Sequence, residues 1–335
     1  MNFESFIGNQ GIKEHLFTAL KGNRLPKAFI FYGPEGIGKA SMALLLAKAL
    51  NCSSFNGDIC DKCNSCYKIE KRIHSDVQIF HPEGKEISIE QMRLLANQIN
   101  LKPLEGKFKV FIIDPAEQMS AEAANALLKT LEEPPPNSLI VLITQNLTAL
   151  LPTIRSRCQL LHFAAIPSNE LKKALIESFQ FEPEEALSLA HLSAGSLGSA
   201  LNINLNESYE KRKRELVFLQ SLSTREEFGI ILERIDELKG KEKIDELLQI
   251  LYSITRDLLV LSLTNDISLL INIDLEEELK ACLKRFTIEI ILSIMSEIHY
   301  TIKAIEENVN RKVALEALFF RIIYFFRKED DNETK

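Results

Sequence analysis

The chain has 335 residues, 46% hydrophobic and 26% charged, with a mean hydropathy near zero; that is enough for two or three domains with real apolar cores and excludes a disordered chain. A net charge of −7 argues against a protein that coats nucleic acid over its whole surface, so any DNA contact is expected to be local or shared. The most apolar tail stretch, Ala317 to Phe326, is broken by Arg321 and is too short to span a bilayer, and MNFESF lacks the basic region and apolar run of a signal peptide, so a cytoplasmic protein with no membrane partner is expected.

In the first half, short apolar runs alternate with helical patterns. Ala28–Tyr32, Val77–Phe80, Val110–Ile113, Leu139–Ile143 and Gln159–Phe163 read as buried strands, and this order predicts a parallel α/β domain over residues 1–165. Ser88 with Gln91 makes a capping box, and Ser120 caps a helix whose Ala124, Leu127, Leu128 and Leu131 form one stripe, stopped by Pro134, Pro135 and Pro136. Lys102, Lys107 and Lys109 read as a solvated basic face. Beyond Ile166 strand signals vanish. A small helical unit is expected over 166–205, a helical bundle over 209–328, and a polar tail over 329–335.

Strand Ala28–Tyr32 runs into Gly33-Pro34-Glu35-Gly36-Ile37-Gly38-Lys39 and then a helix through Met42–Leu50. In this context backbone N–H groups and a helix N-terminus hold phosphates beside a lysine ammonium, so Gly33, Gly36, Gly38 and Lys39 are the expected nucleotide contacts. The next position, where Ser or Thr coordinates Mg²⁺, is Ala40; Ser41, one residue on, is expected to point about 100° away. The strand Val110–Ile113 ends in Asp114, a candidate metal-side carboxylate, but the position that usually carries the water-activating carboxylate is Pro115, with Glu117 two residues further on. Lacking both the magnesium hydroxyl and the base, the loop should bind without turnover or not bind at all, so ATP or ADP would be held weakly or be absent.

Between the loop helix and the second strand stand Cys52, Cys60, Cys63 and Cys66. Four thiolates complete a tetrahedral shell around Zn²⁺, which would make the site structural. A C-x-x-C redox pair would leave two cysteines unexplained, and ordinary buried thiols are a third reading. Cys158 and Cys282 stand alone and read as packing residues.

At Asn125-Ala126-Leu127-Leu128-Lys129-Thr130-Leu131-Glu132-Glu133-Pro134-Pro135, and again at Leu151-Pro152-Thr153-Ile154-Arg155-Ser156-Arg157-Cys158, the sequence resembles the bacterial clamp-loader ATPases of the AAA+ class. The motifs cover residues 1 to about 205; beyond that the likeness rests on length and helical character. The resemblance implies an AAA+ P-loop domain, a lid at 166–205 and a collar at 209–328. Ile7, Gly8 and Gln10, with Asn9 interposed, match a box near the adenine side, and Thr144 stands at the first-sensor position. Gly195-Ser196-Leu197-Gly198-Ser199-Ala200-Leu201 resembles the lid-helix motif, with Gly198 where active subunits carry arginine. Arg157 is similar to the arginine finger that such subunits present to a neighbour's nucleotide, a role suited to a planar, permanently charged guanidinium; a solvated loop arginine is the other reading.

Taken together, the resemblance and the three missing groups imply a non-catalytic stator within the DNA polymerase III holoenzyme. It would sit beside ATPase subunits of gamma/tau type and a delta-type subunit, and the assembly would place a sliding clamp on primed DNA. Two rivals stay open. One is an active ATPase subunit using Glu117 and a water-completed magnesium shell, and the other is a zinc-containing DNA-binding module with a vestigial P-loop.

Overall fold

Strands whose two faces are both covered by helices have no reason to alternate polar with apolar residues, and the inner strands of this chain read accordingly as continuous apolar runs, whereas the expected buried run Gln159–Phe163 forms an edge strand with Leu160 and His162 exposed. The computed structural model describes residues 3–22, 24–55, 58–223, 228–238 and 240–333. The chain divides into two compact units, residues 1–181 with 193–202 and residues 182–192 with 203–335.

In the first unit the order is α1 (Gln10–Lys21), β1 (Ala28–Tyr32), α2 (Lys39–Asn51), α3 (Asn64–Glu70), β2 (Val77–Phe80), α4 (Ile89–Ile99), β3 (Lys109–Ile113), α5 (Ala121–Glu132), β4 (Ser138–Thr144), α6 (Pro152–Arg155), β5 (Gln159–His162) and α7 (Ser168–Phe179). The strands form one parallel sheet in the order β2-β3-β4-β1-β5, with the phosphate-loop strand inside it. Side chains alternate between two cores. Phe29, Phe31, Val110, Ile112, Leu139 and Val141 meet α2 on one face, while Ala28, Ile30, Phe111, Ile113, Ile140 and Leu142 meet α4 and α5 on the other. Both expected caps are present: Ser88 and Gln91 form a reciprocal capping box at α4, and Ser120 accepts from Ala123 at α5.

One expectation fails here. Lys109 does not belong to a solvated face, because it is buried at the start of β3, with its ammonium 3.9 Å from Asp76. Asp76 in turn accepts backbone N–H groups from Leu104, Glu105 and Gly106, which fixes the loop before β3. Lys102 and Lys107 are exposed as expected, Lys107 with its ammonium 3.4 Å from the Cys52 carbonyl.

The stretch expected as one small helical unit contributes to both compact units: α7 and α9 (Leu197–Asn202) to the first, and α8 (Pro183–Leu192) to the second. The second unit continues with α10 (Leu205–Ser221), α11 (Phe228–Glu237), α12 (Lys241–Thr264), α13 (Glu276–Cys282), α14 (Ile288–Glu306) and α15 (Arg311–Glu333). Helical backbone therefore runs through most of the expected polar tail. By length and composition, Lys243–Thr264 could cross a membrane, a stretch the sequence reading did not single out. Its apolar side is buried in the bundle through Leu247, Leu251, Ile254, Leu258 and Leu261. Buried Asp257 on the same helix accepts the backbone N–H groups of Ile271 and Asn272, so the bundle also carries a satisfied polar seam.

Candidate nucleotide cavity, cysteine cluster and arginine corner

Strand register decides what meets at the end of β1. Tyr32 pairs with Thr144 of β4 and His162 of β5, so the next residues, Gly33, Gln145 and Phe163, leave the sheet together. Gly33 holds a φ of 143°, and a Cβ there would lie 2.2 Å from the Phe163 carbonyl oxygen. Only glycine fits this close approach. Beyond the strand ends lies a cavity of about 730 Å³, lined among others by Ile7, Gly36, Gly38, Lys39, Ala40, Asp114, Pro115, Thr144 and Gly198. The structure thus brings most of the expected nucleotide contacts to one place.

Several of them are already engaged. The Lys39 ammonium donates to the carbonyl oxygens of Gly33 (2.6 Å) and Pro34 (2.5 Å), inside its own loop. Burial pushes its pKa down, against the pull of Asp114, Glu117 and Glu35, and burial likewise pushes the Asp114 carboxyl up. The Thr144 hydroxyl donates to the Asn146 carbonyl and accepts the Asn146 N–H, a local turn that absorbs its donor. Glu117 is not among the cavity-lining residues; its Oε1 accepts the Gln145 N–H at 3.1 Å. Ser41 also borders the cavity, beside Ala40. Of the N-terminal box, Ile7 lines the cavity, Asn9 exchanges two hydrogen bonds with the Ala164 backbone, and Gln10 turns outward to Glu14.

At the position where an arginine was expected, backbone stands against backbone. The Gly198 N–H donates to the Gly36 carbonyl at 2.9 Å, and the Ser196 hydroxyl donates to the Glu35 carbonyl at 2.9 Å. A Cβ on Gly198 would lie 2.9 Å from the Gly36 oxygen and 3.0 Å from its Cα. The start of α9 is packed so closely on the phosphate loop that a side chain at 198 has no room, which gives the missing arginine a steric cause.

The four cysteine thiols lie within 4.8 Å of one another. Cys52 ends α2, Cys63 caps α3 and Cys66 lies in its first turn, so two helix termini carry three of the sulfurs. Tetrahedral zinc thiolates stand roughly 3.8 Å apart for bonds of about 2.3 Å, so the donor set fits a closed zinc site and leaves no open position for chemistry. Burial opposes ionisation of Cys63, yet N–H donors from Cys66 and Ser53 bring its thiol down to about 6, whereas burial pushes the Cys52 and Cys66 thiols up. Buried Lys48 ties the cluster to α2 through Asp61 and Glu70.

Arg157 sits in the turn between α6 and β5, away from the cavity-lining residues. Its Nε and Nη2 both donate to Oε1 of Glu132, at 3.0 and 2.6 Å, and Nη1 donates to the Thr153 carbonyl at 2.9 Å and the Ser156 hydroxyl at 3.3 Å. The side chain is 34% exposed.

With these three regions placed, comparison with known proteins decides the family. Residues 8–167 match the family described as DNA polymerase III, delta subunit. DNA polymerase III subunit delta' of Bacillus subtilis is 30% identical over 307 residues, 90% of this chain and 92% of that one. The chain belongs to the DNA polymerase III delta' family. DNA polymerase III subunit gamma/tau of Mycoplasma pneumoniae is 33% identical over 206 residues, 60% of this chain but 30% of that relative. A solved DNA polymerase III gamma subunit-related protein of Thermotoga maritima is similar at 21% identity and a TM-score of 0.37, over 93% of this chain and 98% of that one. The parallel sheet of this delta' family chain carries its glycine-rich loop directly after β1, an inner strand.

Two residues of the delta' family chain escaped the sequence reading. Gln145 donates its side-chain amide to Glu35 and its backbone N–H to Glu117, bridging the phosphate loop to the region after β3. The only available signal was its place directly after β4. Glu132, the partner of Arg157, lay inside a quoted motif, but nothing in the linear sequence connects it to a turn 25 residues away.

Proposed function

We propose that this chain is a non-catalytic clamp-loader subunit, a stator that presents Arg157 to nucleotide bound by a neighbouring gamma/tau-type ATPase subunit. In this reading the assembly, with a delta-type subunit, opens a sliding clamp and closes it on primed DNA. Residues 1–165 act as the AAA+ domain, 166–205 as its lid and 209–328 as a collar. The observation that carries the reading is the cavity itself: Ala40, Pro115 and Gly198 stand where hydroxyl, base and arginine would act, and Gly198 is held by backbone contact with Gly36. Coupling follows if the subunit contacts the ATP-bound neighbour differently from the ADP-bound one.

In the reconstituted complex with clamp and primed DNA, Arg157→Ala should lower ATP hydrolysis at the bordering site about a thousandfold while leaving the fold of the isolated chain intact. An unchanged rate removes the finger assignment. The second reading, an ATPase in its own right, draws support from Ser41 on the cavity wall. Turnover by the purified chain alone, abolished by Lys39→Ala, would establish it. Gly33, Gly36, Gly38, Lys39, Asp114 and Thr144 remain the groups that would meet any ATP or ADP. For the metal, Cys52, Cys60, Cys63 and Cys66 would hold Zn²⁺ as a structural cross-link between α2 and α3, and metal analysis should find one zinc per chain, lost in Cys66→Ser.

A further inference from the structure

The contact between Arg157 and Glu132 has a geometry that bears on how the arginine is used. A guanidinium has five N–H donors: a side edge formed by Nε with one hydrogen of Nη2, and an end edge formed by Nη1 and Nη2. Glu132 takes the side edge through the single oxygen Oε1, while the Thr153 carbonyl and Ser156 hydroxyl hold Nη1. Among the described residues no acceptor takes the second hydrogen of Nη2, and the side chain is 34% exposed. A carboxylate parked across the end edge would compete with a phosphate for the same donors. Here the carboxylate lies beside that edge.

Glu132 is also held at an awkward place. It is the last residue of α5, where the unpaired carbonyl groups of a helix C-terminus disfavour a negative charge. The helix is stopped there by Pro134, Pro135 and Pro136, which cannot continue it, so its C-terminal residue is fixed next to the turn that carries Arg157. A neighbouring cation offsets the unfavourable charge, and the pair in turn removes rotamer freedom from the arginine before any ligand arrives.

We infer that Glu132 is a positioning residue for Arg157. It fixes the guanidinium side-on and leaves the Nη2 edge to a phosphoryl oxygen of nucleotide on an adjoining subunit. The inference rests on the finger reading of Arg157 and adds the second group that reading needs. Pre-set geometry of this kind acts on turnover more than on binding, because the ordering cost is met before the transition state is reached.

The test uses the full chain in the reconstituted complex with gamma/tau-type and delta-type subunits, clamp and primed DNA, and reads kcat and KM for ATP. Glu132→Ala is expected to lower kcat about tenfold with KM for ATP unchanged, and Glu132→Gln, which keeps the acceptor oxygen, to lose only about threefold. In the Glu132→Ala/Arg157→Ala double variant the rate should equal that of Arg157→Ala alone, since a positioning residue has nothing left to position. Three outcomes overturn the inference while the finger reading stands: Glu132→Ala without effect where Arg157→Ala is slow, a further loss in the double variant, or a Glu132→Ala complex faster than wild type. Arg157→Ala without effect instead removes the finger reading, and the role of Glu132 with it. Thermal unfolding of each isolated variant separates these results from a failure to fold.

Discussion

The phosphate-loop cavity and the Arg157 corner belong to the same α/β unit and are finished in opposite ways. At the cavity, polar groups turn inward on the protein: Lys39 is bound by the carbonyls of its own loop, Thr144 by its own turn, and Gly36 by the backbone of α9. At the corner, the cation is held firmly from one side and still faces solvent. The phosphate loop also serves as architecture. Its glycines let β5 and α9 approach the end of β1 closely, which is a packing function separate from phosphate binding.

The contrast can be broken or sharpened by substitution. The largest effect should come from Arg157→Lys, which keeps charge but loses the planar fork; hydrolysis at the bordering site should fall about a hundredfold in single-turnover assays of the complex. A loss of less than about threefold would mean that the corner works as a point charge. Next, Gly198→Arg restores the residue type seen in active subunits, yet it should cost about 3 kcal/mol in urea unfolding of the isolated chain, because the new Cβ meets Gly36 backbone. A stable variant that gains ATP turnover would erase the contrast. Lys39→Met should cost about 1 kcal/mol at pH 7 by leaving two carbonyls without their donor. Because the folded state lowers the Lys39 pKa, the unfolded chain holds the proton longer, so wild-type stability rises with pH from that lowered value up to 10.5. The variant lacks this rise, and the gap between the two should widen toward alkaline pH. Smallest is Gln145→Ala, about 0.5 kcal/mol, since its bond to Glu35 is exposed.

What could be read in the sequence was local. The inner strands announced themselves because a doubly covered sheet needs continuous apolar runs, and the caps at Ser88 and Ser120 because partners three residues apart are visible in a line of text. The cysteine cluster was legible for the same reason. Lys109 was misread because its partner Asp76 comes from the turn before β2, and charge alone could not reveal that a lysine would be buried beside it. The Glu132–Arg157 pair needed α5 and α6 to be packed together before it existed at all.

The seam between α9 and the phosphate loop also supplies a built-in reporter. Gly198 lies in the first turn of α9, where a helix offers its N–H groups no internal acceptor, so protection of that amide from solvent exchange depends on the Gly36 carbonyl. In a hydrogen-exchange experiment its rate would follow the opening of this seam rather than the unfolding of the helix. Any ligand, neighbour or substitution that lifts α9 from the loop would therefore register at a single deuterium before it changed the outline of the molecule.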